Sequence, residues 1–289
     1  MSQSYNTAPM RLDSHQHFWS FDERAYDWID ERMGRIRRDF APADLEPILK
    51  RNGFDGSIAV QVRQSLQETE YLLGLADRHD FIRGVVGWVD LRSPDLRSAL
   101  ERFAGHPRFR GVRHVVQAEP DDRFLLRSDF LRGVALLRDF DLAYDILVYH
   151  HQLPSVIEFV ERFPEHRLVL DHIGKPAIAR SEIEPWATAI RKLGKRDNLY
   201  CKVSGMVTEA DWSGWKKSDF TLYLETVLEA FGSARLVFGS DWPVATLAAS
   251  YEQVVAIVDD FFSTLSTAEK DAVFGRNAVE LYGLEVPPS

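Results

Sequence analysis

Apolar and β-branched residues gather along this chain in eight short runs bounded by turn-forming positions: Met10–His17, Gly56–Val62, Ile82–Leu91, Gly111–Gln117, Ala143–His150, Arg167–His172, Leu199–Ser204 and Arg235–Ser240. Runs of that kind read as buried strands. Between them apolar positions recur at helical spacing, as in Leu66, Leu72, Leu73 and Ala76, Phe130, Leu131, Val134 and Leu137, Leu153, Val156, Ile157 and Val160, and Leu224, Val227, Leu228 and Phe231. Such spacing puts an apolar stripe on each helix. Strand starts fall about 24 to 46 residues apart, enough for a helical crossover each time, which implies parallel strands. Eight of them predict a single closed (β/α)8 barrel of the α/β class. An open doubly wound sheet alternates in the same way. However, no Gly-x-Gly-x-x-Gly follows the first run, where that fold would cradle a dinucleotide phosphate.

No linker or low-complexity stretch breaks the rhythm, so one barrel domain is expected over residues 10–285, with a flexible arm over 1–9 and a tail over 286–289. Of the 289 residues, 45% are hydrophobic and 27% charged, the balance of a globular chain. The 35 Lys and Arg against 44 Asp and Glu leave a net charge of −9, which argues against nucleic acid or an anionic membrane surface as partner. No run reaches the ~20 apolar residues of a membrane span, and the first residues lack a basic-then-apolar leader, so a cytoplasmic location is expected. Cys201 is the only cysteine. Metal ligands, if any, must therefore come from His, Asp and Glu.

In such barrels the chemistry lies where strands end. The first run ends with His15 and His17, two apart and so on one face of the strand, able to share a ligand or an ion. The fifth ends with His150 and His151, of which only one can face the mouth. The sixth ends Asp171-His172 and the eighth ends Ser240-Asp241, with Asp171 open to a merely orienting role and Asp241 to a turn-capping one. Four strands thus converge on His15, His17, His150 or His151, His172 and Asp241, a far more specific signal than any one motif. Gln61, Arg63, Trp88, Arg113, His114 and Lys202 are candidates for holding a hydroxylated substrate, or for filling the barrel interior. Trp212 and Trp215 can wall the mouth or pack a long loop.

The motifs Asp13-Ser14-His15-Gln16-His17-Phe18-Trp19, Leu170-Asp171-His172-Ile173-Gly174-Lys175-Pro176 and Phe238-Gly239-Ser240-Asp241-Trp242-Pro243 resemble, in that order, those of the amidohydrolase superfamily and its amidohydrolase-2 group. Ile36-Arg37-Arg38-Asp39-Phe40, Val86-Gly87-Trp88-Val89-Asp90-Leu91, Gly111-Val112-Arg113-His114 and Cys201-Lys202-Val203-Ser204-Gly205 look most like its L-fuconolactonase and L-rhamnonolactonase branch. The resemblance implies a hydrolase opening a sugar lactone, with Asp241 activating water beside His15, His17 and His172. It also implies a metal site from His15, His17, His150 (or His151) and Asp241. Arg113-His114 stands where binuclear members carry a bridging residue, so one divalent ion, most naturally zinc, is the expected maximum, and it need not be essential. A metal-dependent decarboxylase on the same barrel and a catalytically silent sugar-binding barrel are the rival readings.

Overall fold

The computed structural model describes residues 10–285, so the arm expected over residues 1–9 and the tail over 286–289 lie outside the described residues. Eight parallel strands follow one another in chain order: β1 Leu12–Gln16, β2 Gly56–Val60, β3 Ile82–Gly87, β4 Phe109–His114, β5 Ala143–Ile146, β6 Leu168–Leu170, β7 Leu199–Val203 and β8 Leu236–Phe238. The seam between β8 and β1 is closed just past the last strand, where Asp241 N donates to His15 O and His17 N donates to Trp242 O, both at 2.8 Å. The expected barrel is the observed one. Helices α1 Pro42–Arg51, α2 Leu66–Ala76, α3 Leu96–Ala104, α4 Ser128–Leu136, α5 Leu153–Glu161, α6 Trp186–Leu193, α7 Ser218–Phe231 and α8 Tyr251–Phe261 surround it. The four helical patterns read from sequence fall on α2, α4, α5 and α7.

Because successive strand residues face opposite sides, the sheet divides two cores. Its outer face meets the helices through residues such as Val85, Val112, Tyr144, Leu170 and Val203. Its inner face, with Leu12, Ile58, Val60, Val86, Ala143, Val169 and Val237, forms a second apolar layer that a helix over Asn277–Tyr282 plugs from below through Ala278, Leu281 and Tyr282. Above that plug the barrel interior turns ionic. The Tyr282 hydroxyl donates to Asp145 Oδ2 at 2.9 Å, Asp145 pairs with the Lys202 ammonium, and Lys202 Nζ lies 3.0 Å from Asp171 Oδ1. Arg113 Nη1 then reaches Asp171 Oδ2 at 3.0 Å. These residues are all buried, so a column of fully paired charge runs from the plug to the mouth.

Several runs read from sequence extend past the strands they contain. The fifth was expected to reach His150, yet β5 stops at Ile146 and the backbone turns over His150–Gln152. The sixth stops at Leu170, leaving Asp171 and His172 in a turn. In both cases the apolar run continues because the loop leaving the strand is itself buried, which hydrophobic patterning cannot distinguish from strand.

Candidate active site

The residues that end β1 and follow β6 and β8 meet at the floor of a cavity of about 690 Å³ at the mouth of the barrel. Asp13 fixes the seam. Its side chain turns away from the cavity, accepts from Ser240 N at 2.9 Å and from the Tyr251 hydroxyl at 3.1 Å, and so ties β1 to the segment that carries Asp241. Burial pushes its carboxyl up to about 6, against the pull of the Ser240 and Tyr251 hydrogen bonds. Asp241 itself adopts a left-handed backbone (φ 57), a conformation Asp tolerates better than most residues. The side chain is thereby aimed at the two β1 histidines. Asp241 Oδ1 lies 3.3 Å from His17 Nε2 and 3.7 Å from His15 Nε2, and the two nitrogens are 3.2 Å apart.

Neighbours set the protonation of each group. His17 Nδ1 is 2.8 Å from Val60 O, and a carbonyl only accepts, so Nδ1 carries a proton and Nε2 is the nitrogen turned to His15 and Asp241. His15 is held neutral by burial and by the Lys202 ammonium, 3.1 Å from its Nδ1. Arg113 Nη1 lies 3.3 Å from His15 Nε2. Burial likewise pushes His172 down to about 3, and its Nδ1 is tied to Ser204 Oγ at 2.9 Å. Burial alone would raise the Asp241 carboxyl, but the rings of His172, His17 and His15, which take up protons before it does as the pH falls, outweigh it and hold the group well below the usual carboxylate range. Asp241 is therefore an ionised carboxylate at any working pH.

The same three atoms pass a fit test for one ion. Ligands of a tetrahedral zinc about 2.0–2.1 Å from the metal stand about 3.3 Å apart, and the observed separations are 3.2, 3.3 and 3.7 Å. Among the described residues, His15, His17 and Asp241 form one such group, and His15, Asp171 and His172 another that shares His15. The histidines expected from β5 belong to neither. His150 Nδ1 donates to Lys175 O at 3.0 Å, and His151 is half-exposed and paired with Asp122. With β5 ended four residues earlier, both lie in the turn that follows the strand, where their rings meet Lys175 O and Asp122 instead of His15, His17 or Asp241.

Of the six residues expected to hold substrate, Arg63 and Arg113 line the cavity and the other four do not. Lys202 lies beneath the floor, wholly committed to Asp145, Asp171 and His15. Gln61 is buried with its amide on Arg113 O. His114 follows Arg113 and so faces the helices, where it stacks on Phe124 and bonds Glu119 at 2.7 Å, while Trp88 reaches only His114. Trp212 walls the mouth as one reading allowed, but Trp215 packs on Phe220 with its indole on Ala248 O. Asp171, weighed as an orienting group, acts as one for both Arg113 and Lys202.

Sequence reasoning missed Lys175, Glu209, Tyr149 and Asp27, which also line the cavity. The first had a signal, for Lys175 stands three residues beyond His172. The backbone from His172 through Ile173 and Gly174 to Lys175 is left-handed at every residue (φ 53, 48, 73 and 48), and this one turn sends both ends into the same cavity.

The amidohydrolase family model matches residues 12–284. The chain belongs to the amidohydrolase family. It is 44% identical to an L-fucono-1,5-lactonase of Burkholderia multivorans, over 96% of this chain and 97% of that one. It is 37% identical to an L-fucono-1,5-lactonase of Burkholderia ambifaria over the same shares. A crystal structure of a Burkholderia multivorans amidohydrolase with bound zinc superposes with a TM-score of 0.92 at 44% identity, covering 96% of this chain and all of that one. The residues gathered at the cavity floor come from the end of β1 (His15, His17), the turn after β6 (His172) and the segment after β8 (Asp241).

Proposed function

We propose that this amidohydrolase opens neutral sugar lactones of the L-fucono-1,5-lactone type to their aldonic acids. The observation that carries this reading is the Asp241 carboxylate, held ionised among three imidazoles on the floor of a cavity large enough for a sugar ring. Lactone hydrolysis needs an activated water, stabilisation of the tetrahedral oxyanion and a proton for the departing ring oxygen. Asp241 takes the proton from the attacking water and passes it to the ring oxygen as the C–O bond breaks, returning to its ionised form. Arg113 lines the cavity beside His15, its two terminal nitrogens held by Asp171 and the Gln61 carbonyl. His15, His17 and Asp241 are the residues that would hold a zinc ion, which when bound supplies Lewis acidity at the carbonyl. The two lactonase relatives support the substrate class, and the zinc-bound neighbour supports the ion.

Asp241→Asn tests the reading at its centre. The amide keeps the shape while removing the base, so the variant should fold and lose about 10²- to 10⁴-fold in kcat for acid release from a neutral aldonolactone. Turnover close to that of the unmutated protein would assign water activation to another group.

A further inference from the structure

The charges that line the cavity are balanced: Arg63, Arg113 and Lys175 face Asp27, Glu209 and Asp241. What matters to a ligand is which cations are free to meet an anion. Arg113 is spent on Asp171 and on the Gln61 carbonyl. The Arg63 guanidinium lies over the Tyr26 ring, 5.6 Å from its centroid, and forms no ion pair with a carboxylate among the described residues, so it is Lys175 that is masked beside the reacting groups. Lys175 comes from the left-handed turn that also carries His172, and therefore enters the cavity next to the reacting groups. Its ammonium is 3.1 Å from Glu209 Oε1, with side-chain exposures of only 14% and 21%. Burial works against the charged lysine, and Glu209, with Asp241 behind it, more than restores it. Both partners are anchored: His150 holds Lys175 O, and Glu209 O accepts from Ala179 N at 2.9 Å.

We infer that Glu209 is a specificity residue that masks Lys175 from anions, so that the cavity receives neutral polyhydroxylated lactones and releases their carboxylate products. This rests on the lactonase reading above, which turns a neutral substrate into an anion inside the cavity. A cavity that offered the product a bare ammonium would hold it by a charge-assisted hydrogen bond, whereas the Lys175–Glu209 pair presents a donor and an acceptor side by side, suited to adjacent hydroxyls. The same masking disfavours lactones that would place a carboxylate of their own at Lys175.

The test is calorimetric titration of the sodium salt of L-fuconic acid into the unmutated protein, Glu209→Gln and the double variant Lys175→Met/Glu209→Gln. Glu209→Gln should tighten the anion about tenfold or more, and the double variant should return to the weak binding of the unmutated protein. Glu209→Ala is the second variant should the amide fail to fold, with the same expectation. Equal affinity in the unmutated protein and both Glu209 variants, or a gain that survives removal of Lys175, overturns the inference. Binding is read without turnover. A protein that opens no neutral lactone but shows the stated shift loses the functional reading and keeps the masking role; one that opens lactones without the shift does the reverse.

Discussion

His17 and His150 show how one side chain's partners decide its role. Both rings have Nδ1 on a backbone carbonyl, which leaves Nε2 as the nitrogen each can offer to a ligand. Only the Nε2 of His17 meets another histidine and a carboxylate at ligand spacing. His17→Ala should therefore lose bound zinc on dialysis against a weak chelator, while His150→Ala retains it at the stoichiometry of the unmutated protein. Elemental analysis of both decides this, and equal zinc loss from the two would return His150 to the ligand set. The spacing of His15 and His17 was enough to pair them because period-2 geometry is local. His150 was misplaced because its reading required the end of β5, which depends on where the neighbouring backbone stops pairing.

At the scale of elements, the left-handed turn His172–Lys175 is the feature that an L-chain resists most, since each non-glycine residue there costs roughly 1–2 kcal/mol and Ile173 is β-branched. Tertiary contacts hold it in place. Trp186 Nε1 donates to Ile173 O at 2.7 Å, and Lys175 N donates to His172 O at 2.8 Å. Gly205 leaves the room the His172 ring needs, since a Cβ there would stand 2.4 Å from His172 Nδ1. Gly205→Ala should therefore cost about 1–3 kcal/mol in urea unfolding through this clash, and should also lower kcat by displacing His172. Unchanged stability and kcat would mean that the ring simply moves aside. Nothing in the local sequence announces a left-handed turn containing isoleucine, so this part of the site was not legible beforehand.

Across the whole molecule, the eight-strand barrel and the convergence of His15, His17, His172 and Asp241 were legible because patterning and chain order record them directly. The buried column was not, since Asp145, Asp171, Lys202 and Tyr282 come from four distant segments and no local pattern records that they meet. Lys202→Met should remove the cation between Asp145 and Asp171 and destabilise the fold by about 3–5 kcal/mol, because Asp145 is left buried without an ionic partner while Asp171 keeps Arg113 alone. Thermal unfolding near that of the unmutated protein would show that the carboxylates find other compensation. The His15–His17–Asp241 group, the left-handed turn and the column together set Asp241 where the proposed opening of neutral sugar lactones needs an activated water. The most direct test is continuous titration of acid released from L-fucono-1,5-lactone by the purified protein, against the spontaneous rate. Protein-dependent ring opening to the aldonate is the predicted result; a folded, zinc-supplied sample that opens neither this nor any other neutral aldonolactone above the spontaneous rate would contradict it.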